Sequence, residues 1–396
     1  MPLKTVLFAW ELGGGLGHLY QFEPLARRLR ARGYRLVYAL RDLSQARALL
    51  GPTVAQLWQA PVWLAARRDD LAPVSYAEML MQFGYLDSVA LGGLVEGWRT
   101  IYRQVRPDLL LVSHAPTALL AARGLPGRCA LLDTGFGAPP RQTPLPAMRW
   151  WQAVSAARLH HSETRVLATI NNILTARGLA PLAGLAELFD VDERFLCTCA
   201  ELDHYPARDA GARYWGPLFT LDAGQDPQWP AVDGPKVFVY ADLPAAPMTA
   251  LLEGVSNSRC CALVYAPTYT VRGKLGAHIQ LVREAQNIAA VRAQCAAVIC
   301  HGSGLSAAAL LAARPVLLLP RHLEQYLVGQ RLRQLGAGTV LLPSSDGASI
   351  TAALTALLEN AAYRLAAQAF AARYVSLTQA AQLDAMEARC ASLLEA

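Results

Sequence analysis

Short apolar runs alternate with amphipathic stretches along the chain, and the alternation predicts strands and helices in turn. Residues 5–10 (TVLFAW) are apolar on both faces, as in a parallel strand covered on each side. A glycine-rich corner follows, Glu11-Leu12-Gly13-Gly14-Gly15-Leu16-Gly17-His18. Residues 20–32 then carry Phe22, Leu25, Ala26 and Leu29 on one helical stripe, closed by Gly33. Residues 34–40 read as the second strand, so the chain opens on a βαβ unit. Residues 43–105 read as helices and loops. A buried strand at 109–112 ends in Ser113-His114, and another at 129–132 ends in Asp133-Thr134-Gly135. Trp150-Trp151 is expected to open a helical region, and 196–199 to be strand-like.

The pattern restarts at 236–240, after a stretch rich in Asp, Gly and Pro at 221–235 that reads as an interdomain linker. The most informative stretch is 298–325. An apolar strand at 296–300 ends at His301-Gly302-Ser303-Gly304. A small-residue helix over 305–313 follows, stopped by Arg314-Pro315, and a strand at 316–319 ends at Pro320. Backbone N–H groups at a helix N-terminus bind anions at low cost, and glycines let a ligand approach the backbone. The loop is therefore a candidate phosphate corner, with His301, Ser303 and Ser306 as added donors. Arg321, His322, Glu324 and Gln325 leave the next strand at its carboxyl end, where open α/β sheets bind ligands.

Composition narrows the field. The chain has 396 residues, 54% hydrophobic and 17% charged, which implies large cores in two or three domains and argues against disorder. A net charge of +6, spread along the chain, gives little support to nucleic-acid binding. The eight cysteines form no C-x-x-C pair, which speaks against a zinc ribbon or a thioredoxin-type site and suits a reducing cytoplasm. The N-terminal apolar run is short and leads into glycines, so no signal peptide is expected, and no apolar stretch is long enough to cross a membrane. The first corner departs from the dinucleotide fingerprint. His18 stands where its third glycine belongs, and no acidic residue closes the second strand. A histidine at that helix head suits acid–base work better.

An N-terminal Gly-Leu-Gly-His loop, a C-terminal His-Gly-x-Gly helix and the Glu324-Gln325 pair together resemble the GT-B glycosyltransferases, most closely the bacterial UDP-glycosyltransferase-like (UDP-glucuronosyltransferase-like) proteins. The resemblance spans nearly the whole chain and implies an α/β fold of two Rossmann-like domains facing each other across a cleft. The domains would be 1–220 for the acceptor and 236–375 for the nucleotide-sugar, joined by 221–235; a C-terminal helix at 376–396 is a candidate to pack back on the first domain. Tyr214-Trp215-Gly216-Pro217-Leu218 resembles the segment that closes the family's first domain. The implied activity is inverting, metal-independent transfer of a sugar, from UDP-sugar in the first instance, to a hydroxyl of a small or lipid-like acceptor. A nucleotide-sugar epimerase and a degenerate, non-catalytic binding protein are the alternatives.

The resemblance makes His18 the catalytic base, with His114 or Asp133 as the group that assists it. An unperturbed imidazole, with a pKa of about 6.5, is available as a base at neutral pH. Gly17, His301, Gly302, Ser303, Gly304 and Ser306 would hold the donor, and Glu324 and Gln325 its sugar hydroxyls. The nucleotide-sugar is a co-substrate, so no cofactor is implied and no metal ligand is expected. A cytoplasmic protein without nucleic-acid partners is expected, with peripheral membrane contact left open. The chain departs from the family in a shortened glycine loop, in Ala307-Ala308-Ala309 where a ribose-binding Glu is usual, and in Ala241-Asp242-Leu243 where Gly-Ser is frequent.

Overall fold

The computed structural model describes residues 3–65, 72–219, 224–271 and 274–396; the side chain of Ser303 lies outside the described part. The chain divides into two compact units, one formed by Met1–Leu218 with Gln379–Ala396, the other by Phe219–Thr378.

The first unit runs β1 (Thr5–Trp10), α1 (Gly17–Ala31), β2 (Arg35–Leu40), α2 (Ala46–Leu50), β3 (Gln56–Gln59), α3 (Tyr76–Met81), α4 (Ser88–Val105), β4 (Leu109–Ser113), α5 (Pro116–Ala122), β5 (Arg128–Asp133), α6 (Ala156–Thr175) and β6 (Glu193–Leu196). Its six strands are parallel in the order β3-β2-β1-β4-β5-β6. The direction of winding reverses between β1 and β4, and the loops leaving those two strands flank the switch point. Strands β1 and β4 are buried along their whole length, as continuous apolar runs require. Helix α1 buries Leu19, Phe22, Leu25, Ala26 and Leu29 against them, and the Phe8 ring stacks on Tyr38 at 4.9 Å.

The second unit runs β7 (Lys236–Tyr240), α7 (Ala245–Asn257), β8 (Cys261–Tyr265), β9 (Ile279–Val282), α8 (Ile288–Gln294), β10 (Ala297–Cys300), α9 (Ser303–Leu311), β11 (Val316–Leu318), α10 (Leu323–Leu335), β12 (Gly338–Val340), α11 (Gly347–Glu359) and α12 (Ala361–Arg373). Its parallel sheet is ordered β12-β11-β10-β7-β8-β9, the same winding, with its switch point between β7 and β10. The last helix, α13 (Gln379–Glu395), belongs to the first unit. Leu383, Met386, Cys390 and Leu394 enter that unit's core. Arg28 meets Asp384 at 3.0 Å, Arg389 meets Glu193 at 2.7 Å, and Gln382 donates to the Gly216 carbonyl at 2.7 Å.

Four expectations need correction. The tract 221–235 is not a free linker from 224 onward, while 221–223 lie outside the described residues. Gln225 forms a parallel bridge with Gln286, Asn287 donates to Asp226 at 2.9 Å, and Trp229 donates to Gln294 at 3.0 Å, all within the second unit. Edge strand β3 lay unseen in 43–105, because four half-exposed residues show neither alternation nor a buried run. Trp150-Trp151 sits in a turn, and α6 starts later, where the Ser155 hydroxyl caps the Arg158 amide. Strand β6 ends at Leu196, so only the first residue of the strand expected over 196–199 is in it.

Candidate active site

In the first unit the loop after β1 delivers His18 to the start of α1, beside the end of β4. The His18 ring stacks on Trp10 at 4.9 Å with 25° between planes. Its Nδ1 lies 2.8 Å from the Oγ of Ser113, the last residue of β4. Ser113 in turn donates to Gln21 Oε1 at 3.3 Å, so its oxygen accepts the Nδ1–H of His18. That tautomer puts the imidazole lone pair on Nε2, the arrangement a general base needs. Gly13, at φ 84°, makes room for the ring: a Cβ there would stand 3.0 Å from Nε2 and 3.3 Å from His114 Nδ1. Gly17 opens α1 with clear space over its Cα.

His114 and Asp133 occupy the neighbouring strand ends. His114 is buried, in the left-handed region at φ 47°. Its carbonyl accepts the Leu12 amide at 3.0 Å, which fixes the first corner to β4. Its ring centroid is 6.2 Å from that of His18 and 5.4 Å from that of Phe136. Asp133 is buried, and its Oδ1 accepts the amides of Gly135 at 2.8 Å and Gly137 at 2.9 Å, forming its own strand-end turn. Farther along, Arg208 and Asp203 form a buried pair. Arg208 also donates to the carbonyls of Ala138 at 2.7 Å and Gly135 at 3.1 Å, which pins the same turn.

Sequence reasoning missed three residues here. Ser113 and Gln21 contact or support His18, and the signal was position: Ser113 ends the strand that pairs with β1 across the switch point. The third is Glu11, fully buried, which accepts from Trp98 Nε1 at 2.9 Å, the Thr117 amide at 2.9 Å and the Ala118 amide at 3.2 Å. Burial pushes its carboxyl up to about 7, against the opposing pull of those donors at the start of α5. Glu11 thereby ties the first corner to α4 and α5.

In the second unit His301 leaves β10 and is buried. Its Nδ1–H donates to the Leu319 carbonyl at 2.7 Å, and its Nε2 accepts the Asp242 amide at 2.8 Å. Burial holds the imidazole below the ordinary histidine value, so it stays neutral. Both ring nitrogens are spent on straps between the exits of β7, β10 and β11. The expectation that His301 offers a side-chain donor to phosphate is corrected accordingly. Ser306 is corrected likewise: it is fully buried, and its hydroxyl donates back to the Gly302 carbonyl, the short-range bond a helical serine makes readily. Beyond these two side chains, the described part of the corner offers backbone. Gly302 is the N-cap of α9, with no side chain capping it, and a Cβ on Gly304 would meet nothing within 4 Å.

Gln325 joins this corner. Its Oε1 accepts the Arg321 amide at 2.7 Å, and its Nε2 lies 3.6 Å from where a Cβ on Gly302 would stand. Glu324, one residue earlier in α10, has Oε2 3.8 Å from His322 Nδ1. Asp242 completes the edge, with Oδ2 2.7 Å from Arg321 Nη1 and Oδ1 accepting from Thr268 at 2.8 Å. Ala307, Ala308 and Ala309 are core residues of α9. Among the described residues no group of three or more His, Cys, Asp or Glu is placed to hold a metal ion, and no helix is long and apolar enough to cross a membrane.

Known proteins resemble the chain in sequence and in fold. Residues 273–383 match the family described as Erythromycin biosynthesis protein CIII-like, C-terminal domain. The chain is 24% identical over 392 residues to the PGL/p-HBAD biosynthesis glycosyltransferase of Mycobacterium tuberculosis strain H37Ra, covering 93% of this chain and 88% of that one. The calicheamicin glycosyltransferase CalG4 superposes with a TM-score of 0.72 at 19% identity, covering 100% of this chain and 99% of its own. The spinosyn rhamnosyltransferase SpnG complexed with thymidine diphosphate gives 0.66 at 17% identity, with 97% and 100% covered. VinC, solved in complex with DTDP, gives 0.65 at 16%, with 99% and 100% covered. Paired parallel sheets wound alike give the chain the GT-B fold, and the matching C-terminal domain with the similarity to a named glycosyltransferase over most of the chain supports a glycosyltransferase resembling the UDP-glycosyltransferase-like proteins.

Proposed function

We propose that the chain moves a sugar from a nucleoside-diphosphate sugar to a hydroxyl acceptor with inversion at the anomeric carbon. The first unit supplies the base and the second binds the donor. His18 Nε2 takes the proton of the acceptor hydroxyl, and that oxygen attacks the anomeric carbon opposite the leaving diphosphate. The bond to the diphosphate breaks as the new glycosidic bond forms. Ser113 holds the ring in the productive tautomer through Nδ1. The α9 amides after Gly302 receive the charge that builds on the diphosphate. The observation that carries the reading is the His18–Ser113 contact of 2.8 Å across the switch point, which supports a tautomer with its lone pair on Nε2.

Charge stabilisation by a helix terminus leaves no step that calls for a metal. SpnG and VinC were solved with thymidine diphosphate, so TDP-sugars stand beside UDP-sugars as donors to try. The acceptor class stays as broad as a small or lipid-like hydroxyl compound. The test incubates the protein with UDP- and TDP-sugars and a panel of hydroxyl acceptors, with and without EDTA. Diphosphate release that needs the acceptor, survives EDTA and yields a product of inverted anomeric configuration supports the reading. Isomerised sugar without acceptor, or saturable binding without turnover, overturns it.

A further inference from the structure

We propose that Arg321 is the cationic contact for the donor's diphosphate, and that the Asp242 carboxylate occupies it until the donor arrives. The inference rests on the donor reading above and deepens it. His301 and Ser306, the polar side chains that bracket the α9 corner, are both consumed by internal hydrogen bonds. A diphosphate bound there would meet backbone amides from α9, and the cation fixed at the same edge is Arg321. Its guanidinium is 2.7 Å from Asp242 Oδ2, and its backbone amide is held at 2.7 Å by Gln325, whose other amide atom faces Gly302. Asp242 is itself tied to the corner, because its amide donates to His301, the residue just before Gly302. The pair therefore sits across the switch point between β7 and β10, where this winding places anionic ligands.

The carboxylate is the unexpected member. An anion fixed beside a diphosphate site repels the ligand, unless the guanidinium it holds is the one the ligand takes over. A guanidinium binds carboxylate and phosphate through the same fork of N–H groups, so the exchange keeps its hydrogen bonds made. Asp242 retains Thr268 as a donor, at 2.8 Å, when Arg321 turns to the phosphates. Both partners are partly exposed, the arginine at 48% and the aspartate at 33%, so the exchange needs no opening of the core.

The experiment titrates UDP, TDP, uridine and thymidine into wild type, Asp242→Asn and Arg321→Gln by calorimetry at low and high salt. Asp242→Asn is expected to bind the diphosphates roughly fivefold more tightly, the effect of removing one unit charge about 4 Å away in watery surroundings. Arg321→Gln is expected to bind them about tenfold or more weakly, with a shallower salt dependence. Neither change should alter nucleoside binding. Unchanged or weaker diphosphate binding by Asp242→Asn overturns the proposal, even if Arg321→Gln fails to fold. Equal diphosphate affinity in all three proteins overturns it while leaving the donor reading intact. Loss of diphosphate binding in wild type sinks both.

Discussion

A single imidazole carries the chemistry proposed for the first unit, and its surroundings make it testable one atom at a time. His18→Ala is expected to lower turnover by about 100-fold or more, the usual contribution of a general base, with donor affinity unchanged if, as proposed, the donor binds the other unit. Steady-state rates beside calorimetric donor titration check this, and unchanged turnover removes His18 from the mechanism. Ser113 acts through the ring, so Ser113→Ala should leave folding intact and cost about tenfold in kcat, with smaller effect on KM. Its neutral hydroxyl gives no charge to stabilise the imidazolium formed during reaction. Ser113→Asp would supply one, and the acidic limb of the pH–rate profile, where the base becomes protonated, should then move to higher pH. A profile indifferent to both substitutions counts against Ser113 as the positioning group. Gly13 is sensitive for a different reason: at φ 84° an alanine is strained, and its methyl would stand 3.0 Å from His18 Nε2.

At the scale of elements, the loop between β10 and α9 shows what a pattern of residue types predicts and what it does not. The strand, the glycine corner and the short helix were legible because a buried apolar run, two glycines and Arg314-Pro315 each constrain the backbone locally. The roles of His301 and Ser306 were not, because a side chain's partner is set by the strands on either side. His301 finds Leu319 and Asp242 only once β11 and β7 flank β10. Ser113 escaped for the same reason, since its bond to His18 joins residues 95 apart in sequence. Glycine 304 separates fold from function here. Because a Cβ there meets no neighbour and valine is a better helix former than glycine, Gly304→Val should unfold at close to the wild-type temperature. The branched side chain stands over the first turn of α9, so nucleoside-diphosphate binding should be lost. Normal affinity in a folded Gly304→Val protein would place the diphosphate elsewhere.

For the molecule as a whole, one buried carboxylate links the first corner's architecture to pH. Glu11 holds three N–H donors from α4 and α5, yet burial raises its carboxyl to about 7. An unfolded glutamate titrates near about 4.3. Between these values the folded chain keeps a proton that the unfolded chain has lost. Stability therefore falls as pH rises through this window, and the contribution present at low pH is gone above about 7. The loss is on the order of 4 kcal/mol, because each tenfold change in a proton-binding constant is worth about 1.4 kcal/mol. In Glu11→Gln this dependence disappears, so the stability of the variant relative to wild type should climb between about pH 4 and pH 7 and level off beyond. Every tryptophan except Trp229 lies in the first unit, so denaturant unfolding followed by tryptophan fluorescence reads that unit. Using the difference between the two proteins cancels all other titrating groups, and it requires no assumption that both units unfold together. A difference that stays flat across the window would mean that the amides at the start of α5 outweigh burial and keep Glu11 ionised throughout. The first corner would then be anchored by a permanent charge.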